Sequence, residues 1–433
     1  MDPIDIAANE ERKKLAYKNR WRTIFSNPKI LVIAFFASFG GFEYGYQQGV
    51  LGQSLVMYRF KDHFPSVVQS SSATGWLTSV LQLGGIVGSL SAGVLGEVFS
   101  RKYTMFSACC WVVLGSYLYC GATYHNPAML YAGRFFTGLG VGTFSGVGAL
   151  SGPVLPALGD GEQVSLWRRE MAQYYNIIRT RDNLKRVATA WLVMFFQQWS
   201  GIDAIIYYAA NVFESLGLTG GTTALLATGV TGVVFFVSTL PAMAIIDKVG
   251  RKPMLYVGSV VMLVSMVIAG VIVAKFRHDW VSHAAAGWVA VTFIWIYVGA
   301  FGATWGPVSW TLVSEIFPLS IRAKGASIGA SSNWLNNFAV AFFVPPMLEA
   351  WAWGTYIFFA VFLAAGIAWV WYFLPETKGA TLEEMDRVFG SKVGEEDARM
   401  LAQARRDVGL DQRLEKTLAE DTAEQDGTSV EKA

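Results

Sequence analysis

Long apolar stretches alternate with short polar islands along this chain. Apolar runs of spanning length fall at roughly 30–56, 73–96, 103–122, 128–150, 187–210, 222–246, 253–274, 286–312, 325–348 and 352–374. About 20 apolar residues in a helix cross a bilayer. In lipid an unpaired backbone group costs several kcal/mol, so such runs are either helices or strands of a closed barrel. Barrel strands alternate polar and apolar over about ten residues, and these runs do not. The pattern predicts an all-α integral membrane protein with ten spans.

The polar islands orient it. Lys and Arg gather in cytoplasmic connections. With the N-terminus inside, the inside connections are 11–29, 97–102, 151–186, 248–252 and 322–324, and they carry 20 Lys or Arg. The outside connections carry only Arg59, Lys61, Lys275 and Arg277. Both termini are therefore expected in the cytoplasm. The expected organisation is a cytoplasmic segment over 1–29, a four-span bundle over 30–150 and a cytoplasmic linker over 151–186. A six-span bundle over 187–374 and a partly disordered cytoplasmic tail over 375–433 follow, with KVGEEDARMLAQARR in the tail reading as a weak helix.

Composition agrees: 53% of the 433 residues are hydrophobic and 15% charged, against about 25% charged in soluble chains. Cys109, Cys110 and Cys120 share one apolar segment and do not form a secreted disulfide framework. No metal-ligand spacing, nucleophilic triad or nucleotide loop is evident, so an enzyme is not expected, nor a cofactor or a nucleic-acid partner. The first 29 residues are polar and basic, and the apolar run after them is too long for a signal core.

Two predicted inside turns resemble each other, GVLGEVFSRK at 93–102 and PAMAIIDKVGRK at 241–252. Glu97 matches Asp247, Ser100 matches Gly250 and Arg101 matches Arg251. Any short inside loop tends to be basic, but the acid, small residue and basic pair recur in register. Such internal duplication is what alternating-access transporters are built from.

Polar groups within the apolar runs mark candidate chemistry. Glu43 lies deep in the first run with Gln47 one turn on. It is either a proton-coupling acid or a neutral, hydrogen-bonded structural group. The fifth run carries Gln197, Gln198, Asp203, Tyr207 and Tyr208. Spacing puts 197, 201 and 208 on roughly one face. Amides, a carboxylate and phenols suit a hydroxyl-rich solute, since they both donate and accept; the same groups also serve as interhelical glue. In the eighth run Gly302, Gly306 and Pro307 interrupt a helix that holds Trp305 and Trp310. Glu315 and Arg322 flank its inner end and could pair. The ninth run adds Asn333, Trp334, Asn336 and Asn337.

These pieces resemble the sugar transporter family of the major facilitator superfamily, its fungal members above all. The matching segments are FASFGGFEYGYQQGV at 36–50, GSLSAGVLGEVFSRK at 88–102, GRFFTGLGVG at 133–142 and FQQWSGIDAIIYYAANVF at 196–213. They continue with DKVGRK at 247–252, GPVSWTLVSEIFPLSIRAKG at 306–325, NW at 333–334 and PETKGATLEEMD at 375–386. The resemblance implies the major facilitator fold, two six-helix halves around a central cavity, in a multi-pass protein of the plasma membrane. It implies transport of a hexose, pentose or polyol by alternating access, often in symport with a proton. Oligomeric state is left open. By resemblance the solute contacts are Gln197, Gln198, Asp203, Trp310, Asn333 and Trp334, to which the fifth-run cluster adds Tyr207, and the gating residues are Glu97, Arg101, Arg134, Asp247, Arg251, Glu315, Arg322 and Glu376.

The chain departs from the family in four places. Asp203 replaces the usual Asn. Gln47 replaces the first-span acid linked to proton coupling, leaving Glu43 as the candidate. Ser100 stands where Gly is usual. After GLGVG the family continues with PxYxSE and two more spans, whereas this chain runs FSGVGALSGPVLPALGDGE and soon reaches LKRVATAW. The family's fifth and sixth spans are thus expected to be missing. That leaves an incomplete N-terminal half of four spans. The alternatives to a working carrier are a non-transporting sugar sensor or an inactive truncated splice or gene-model product.

Overall fold

The computed structural model describes residues 28–123, 126–148, 171, 174–175, 177–179, 181–216, 221–318, 320–380 and 382–390. The N-terminal segment, most of the linker and the tail after 390, with its expected weak helix, lie outside the described residues. Two compact units are present, Met1–Val50 and Leu51–Ala433.

The first unit holds most of α1 (Pro28–Ser54). The second continues through the short helices α2 (Tyr58–His63) and α3 (Pro65–Val68), which occupy what the sequence reads as a plain outer loop. Three long helices follow: α4 (Ser71–Val98), α5 (Ser100–Cys120) and α6 (Ala128–Gly148). Beyond the linker come α7 (Arg181–Trp199), α8 (Ile202–Tyr207), α9 (Ala209–Ser215), α10 (Gly221–Val249) and α11 (Arg251–Phe276). The last group is α12 (Ala284–Ala303), α13 (Trp305–Glu315), α14 (Arg322–Trp351), α15 (Trp353–Tyr372) and α16 (Leu382–Phe389).

Among the described residues, six helical stretches are long and apolar enough to cross a membrane: Ser71–Gly96, Ser100–Cys120, Leu226–Val249, Arg251–Phe276, Ala284–Glu315 and Trp353–Tyr372. The other four expected runs are helical too. They are diluted by glycines, amides, hydroxyls and charges, the groups that carry the candidate site.

Close backbone approach builds the α4–α6 contact. A Cβ at Gly138 would overlap the Leu81 carbonyl, and one at Gly84 would overlap Phe135 and Leu139 backbone. Without a strong hydrophobic drive between helices in lipid, small residues that admit such approach supply the packing energy. Helix α14 packs lengthwise against α4. Contacts run from Ser71, which donates to the Glu349 carboxylate, past Gly75 against Phe342, to Gly93 near Ser327.

The fifth run is not one helix. Gly201 takes φ +96° and breaks it after Trp199, and a second break falls at Tyr208. A single helical wheel over 197–208 therefore does not apply, and the face-sharing expected for 197, 201 and 208 is replaced by contacts set by the break. The eighth run breaks as well, at Thr304, two residues from Gly302 and Gly306.

Candidate functional site

The two helix breaks meet. At the end of α7 the Gln197 side chain donates through Nε2 to the Trp305 carbonyl at 3.0 Å and to that of Gly306 at 3.5 Å. Both acceptors sit in the first turn of α13, just past the break at Thr304. Gln197 Oε1 accepts from Asn333 Nδ2 of α14 at 2.6 Å. One buried amide thus ties three helices together. Trp305 is 1% exposed and donates through Nε1 to Ser259 of α11 at 2.8 Å.

A further set of hydrogen bonds fixes the α7–α8 break. Tyr297 donates to the Ser200 carbonyl at 3.0 Å. Tyr207 donates to Asn337 Oδ1 at 2.9 Å, and Tyr208 to the Ala341 carbonyl at 2.7 Å. Trp199 Nε1 donates to Asn336 Oδ1 at 2.9 Å. Each buried polar group left without a partner would cost about 1–3 kcal/mol, so the exceptions are informative. Gln198 Oε1 and Asp203 Oδ2 are buried and accept no hydrogen bond in the structure. Both are acceptor atoms that no donor reaches. Ser309 Oγ in α13 and both Glu43 carboxyl oxygens are among the other buried atoms that make no hydrogen bond in the structure.

Beside Tyr208 lies a cavity of about 370 Å³, lined by Ser71, Thr74, Asn211, Lys61 and Glu349 among others. That falls within the usual range for small-ligand sites, about 300–1,000 Å³. Its polar lining comes from both sides of the linker, α4 on one side and α9 and α14 on the other.

The remaining expected contacts take different positions. Trp310 is half-buried in α13. Trp334 is buried, lies against Gly85 of α4 and donates to Ser145 Oγ of α6 at 2.9 Å. Glu43 belongs to the first unit and is half-buried, one helical turn before Gln47.

At the opposite end, Arg251 gathers the charged residues that the repeat marks. It donates through Nε and one terminal nitrogen to the two Glu315 oxygens, at 3.1 and 2.6 Å, and to Asp247 at 3.2 Å. Glu376 caps the start of α11 by accepting from the backbone N–H of Arg251 at 2.9 Å and Lys252 at 3.0 Å. Thr377 donates to Glu315 at 2.7 Å. Glu315 therefore pairs with Arg251, while Arg322, its expected partner, donates Nε–H to the Phe317 carbonyl at 3.1 Å. The reason is the turn at Pro318, which carries Arg322 back toward its own loop. Of the matching first turn, Arg101 is half-buried at the start of α5, and the Glu97 side chain lies outside what the structure describes. Arg134 is buried in α6 and donates to the Thr78 carbonyl at 3.1 Å.

Sequence reasoning missed Arg186. It is 1% exposed, pairs with Asp386 of α16 at 2.6 Å, donates to the Ile316 carbonyl and lies over the Phe389 ring. Asp386 ends the PETKGATLEEMD segment, and that was the available signal. Ser259, Ser200 and Tyr297 were also missed, because a lone hydroxyl in an apolar run has no pattern to mark it.

The sequence family described as Sugar (and other) transporter matches residues 33–150 and 160–389. Sugar carrier protein C of Ricinus communis is 27% identical over 475 aligned positions, covering 83% of this chain and 89% of the relative. Sugar transport protein 3 of Arabidopsis thaliana is 39% identical over 197 residues, and a probable quinate permease of Aspergillus niger 36% over 229. Against these two the chain spans 38% and 42% of the relative's length. Among solved structures, the proton:xylose symporter XylE bound to 6-bromo-6-deoxy-D-glucose superposes with a TM-score of 0.64 at 23% identity, covering 83% of this chain and 99% of that one. The inward open conformation of XylE from E. coli gives 0.62 at 24%. These likenesses show the fold.

Proposed function

The chain belongs to the sugar (and other) transporter family, a family of transporters and not enzymes, and from that premise we propose that it carries a neutral polyhydroxy solute by alternating access. The observation that carries the reading is Gln197, a buried amide bound at once to the broken α13 and to Asn333. Broken helices at a midplane polar cluster are the usual build of a transporter site. The unpartnered acceptors Gln198 Oε1 and Asp203 Oδ2 call for donors, and sugar hydroxyls are donors. Tyr207, Asn333, Trp310 and Trp334 complete the proposed solute site. The cavity beside Tyr208 is its proposed approach.

Symport with a proton is the further part of this reading, motivated by the XylE likeness, with Glu43 as the candidate coupling acid. Arg251, Asp247, Glu315, Glu376 and Arg322, with Glu97, Arg101 and Arg134, form the proposed gate at the cytoplasmic end. The plasma membrane is the location that the family resemblance implies, and cytoplasmic termini rest on the Lys and Arg bias of the connections. An N-terminal half short of two spans is supported by two observations. The family match is interrupted at 151–159. The alignment to Sugar carrier protein C uses 83% of 433 residues, about 359, yet runs over 475 positions, so about 116 positions face no residue here.

The test is equilibrium binding of D-glucose and D-xylose to the purified protein, wild type against Gln197→Ala. Saturable binding weakened in the variant supports the reading; identical affinities would remove the cluster from the solute site.

A further inference from the structure

Asp203 is 7% exposed and lies in the first turn of α8, two residues past the Gly201 break. Two phenols act on its carboxyl, Tyr207 from its own helix and Tyr297 from α12. A hydroxyl has one proton to give. Tyr207 gives its proton to Asn337 Oδ1 at 2.9 Å, and Tyr297 gives its own to the Ser200 carbonyl at 3.0 Å. Asp203 Oδ2 accepts from no group. No Lys, Arg or His among the described residues pairs with it. Arg134, the buried cation of α6, acts on Tyr208 and Tyr119 and not on Asp203.

An ionised carboxylate here would be buried with no cation and with one oxygen, Oδ2, that no donor reaches, which is costly in a low-dielectric site. The neutral acid inverts the problem. Its O–H is a donor, and the Tyr207 oxygen, whose proton points to Asn337, is an acceptor beside it. We propose that Asp203 carries a proton in this conformation and that the solute site must hold that proton to bind its solute. The proton is taken from water and returns to water when the Tyr207–Asn337 contact opens. No other bond changes. The consequence for specificity is direct. A protonated Asp203 keeps its proton on the Tyr207 oxygen and leaves Oδ2 to accept from a neutral polyol, whereas its ionised form repels sugar acids and disrupts the Tyr207 contact. The linkage to solute rests on the reading of the Gln197 cluster as the solute site; the protonation does not.

The experiment has two readouts on purified protein. Infrared titration from about pH 5 to about pH 8 compares wild type, Asp203→Asn and Asp203→Glu. A protonated-acid carbonyl band near neutral pH, lost in Asp203→Asn and displaced in Asp203→Glu, is expected; no band difference between wild type and Asp203→Asn overturns the proposal. Binding of D-glucose and D-xylose over the same range should weaken in wild type as pH rises, by up to about tenfold per pH unit for one linked proton. It should be flat in Asp203→Asn, which carries the amide usual in the resembled family. Wild-type binding that is flat with pH, or a slope that survives in Asp203→Asn, overturns the link while leaving the solute reading intact. If neither sugar binds at any pH but the band is present, the solute reading fails and the protonated Asp203 stands.

Discussion

Gly85 of α4 lies directly against the indole of Trp334 in α14. A Cβ at position 85 would overlap the ring's Cδ2 and Cε3 atoms. The same indole donates to Ser145 of α6, so a glycine on one helix and a serine on another fix a tryptophan next to Asn333. Gly85→Ala is expected to displace the ring and cost about 1–3 kcal/mol, the usual range for overpacking. Gly232→Ala is the control, since a Cβ at Gly232 meets nothing within 4 Å. Thermal unfolding in detergent should show a lowered Tm for Gly85→Ala alone. Equal Tm values would mean that the indole moves at no cost.

The two basic turns share a backbone device as well as a sequence. Gly250 takes φ +106° and Ser100 takes φ +72°. Left-handed backbone costs an L residue about 1–2 kcal/mol and glycine almost nothing. Ser100→Gly should therefore raise stability, by up to about 1 kcal/mol after the entropy cost of glycine. Gly250→Ala should lower it by more, because its Cβ would also fall 2.8 Å from the Glu376 carboxylate that caps α11. A pair of unfolding curves decides both signs.

Matching Ser100 to Gly250 from sequence shows what was legible and why. Local requirements leave local marks: apolar runs give helices, a turn needing positive φ recurs with glycine or serine, and an interrupted run shows its Gly and Pro. Gln197 was visible because two adjacent amides in an apolar run are costly unless each finds a partner. Which partners they find was not visible. Glu315 lies seven residues from Arg322 and 64 from Arg251, and the more distant residue is its partner. Nothing local tells an acid which of two arginines the fold will deliver. The Gly201 break was also hidden, since a glycine within an apolar run reads equally as helix interior, and the face assignment over 197–208 failed for that reason.

Arg251 and Glu315 should be energetically coupled. Their contact is a two-bond fork at 3.1 and 2.6 Å, with Arg251 buried and Glu315 partly exposed. Side chains in one such network couple by about 0.5–3 kcal/mol. A double-mutant cycle with Arg251→Met and Glu315→Gln, read by unfolding, should fall in the upper part of that range. Coupling near zero would show that Asp247 and the Ile246 carbonyl, which Arg251 also contacts, hold the guanidinium without help.

Helix α16 should depend on Arg186. Asp386 pairs with it at 2.6 Å, Phe389 lies under it, and Lys185 donates to the Phe389 carbonyl at 3.4 Å. Removing one partner of a buried pair strands the other charge, at about 3–5 kcal/mol. Arg186→Met should release α16, seen as faster amide hydrogen exchange over 382–389 with α11 and α12 unchanged. Unaltered exchange would assign the docking to Met385 and Phe389 alone.

Binding and transport should separate in this chain. The proposed solute cluster is built from α7, α8, α13 and α14, with Trp334 braced on α4 and α6, and its hydrogen bonds are formed within the described residues. Nothing in that set needs the positions that the alignment leaves empty, so D-glucose or D-xylose binding should survive. Turnover asks for more. Alternating access rocks one rigid bundle against another around the site, and about 116 positions of Sugar carrier protein C have no residue here. The proposed four-span N-terminal half places this deficit beside the break in the family match at 151–159. A bundle with fewer helices would shield fewer of its polar groups from lipid, at several kcal/mol for each that faces hydrocarbon, although Arg134 itself is buried. Two considerations point the other way. The expected inner connections together keep most of the Lys and Arg, which favours insertion, and a second copy could supply the shielding. Uptake of labelled sugar by liposomes holding the 433-residue protein, beside binding to the same preparation, separates the cases. Saturable binding with flux no greater than in empty liposomes is the expected result. Saturable flux competed by unlabelled sugar would show that the absent positions are dispensable for movement across the membrane, and that four spans suffice for the N-terminal half.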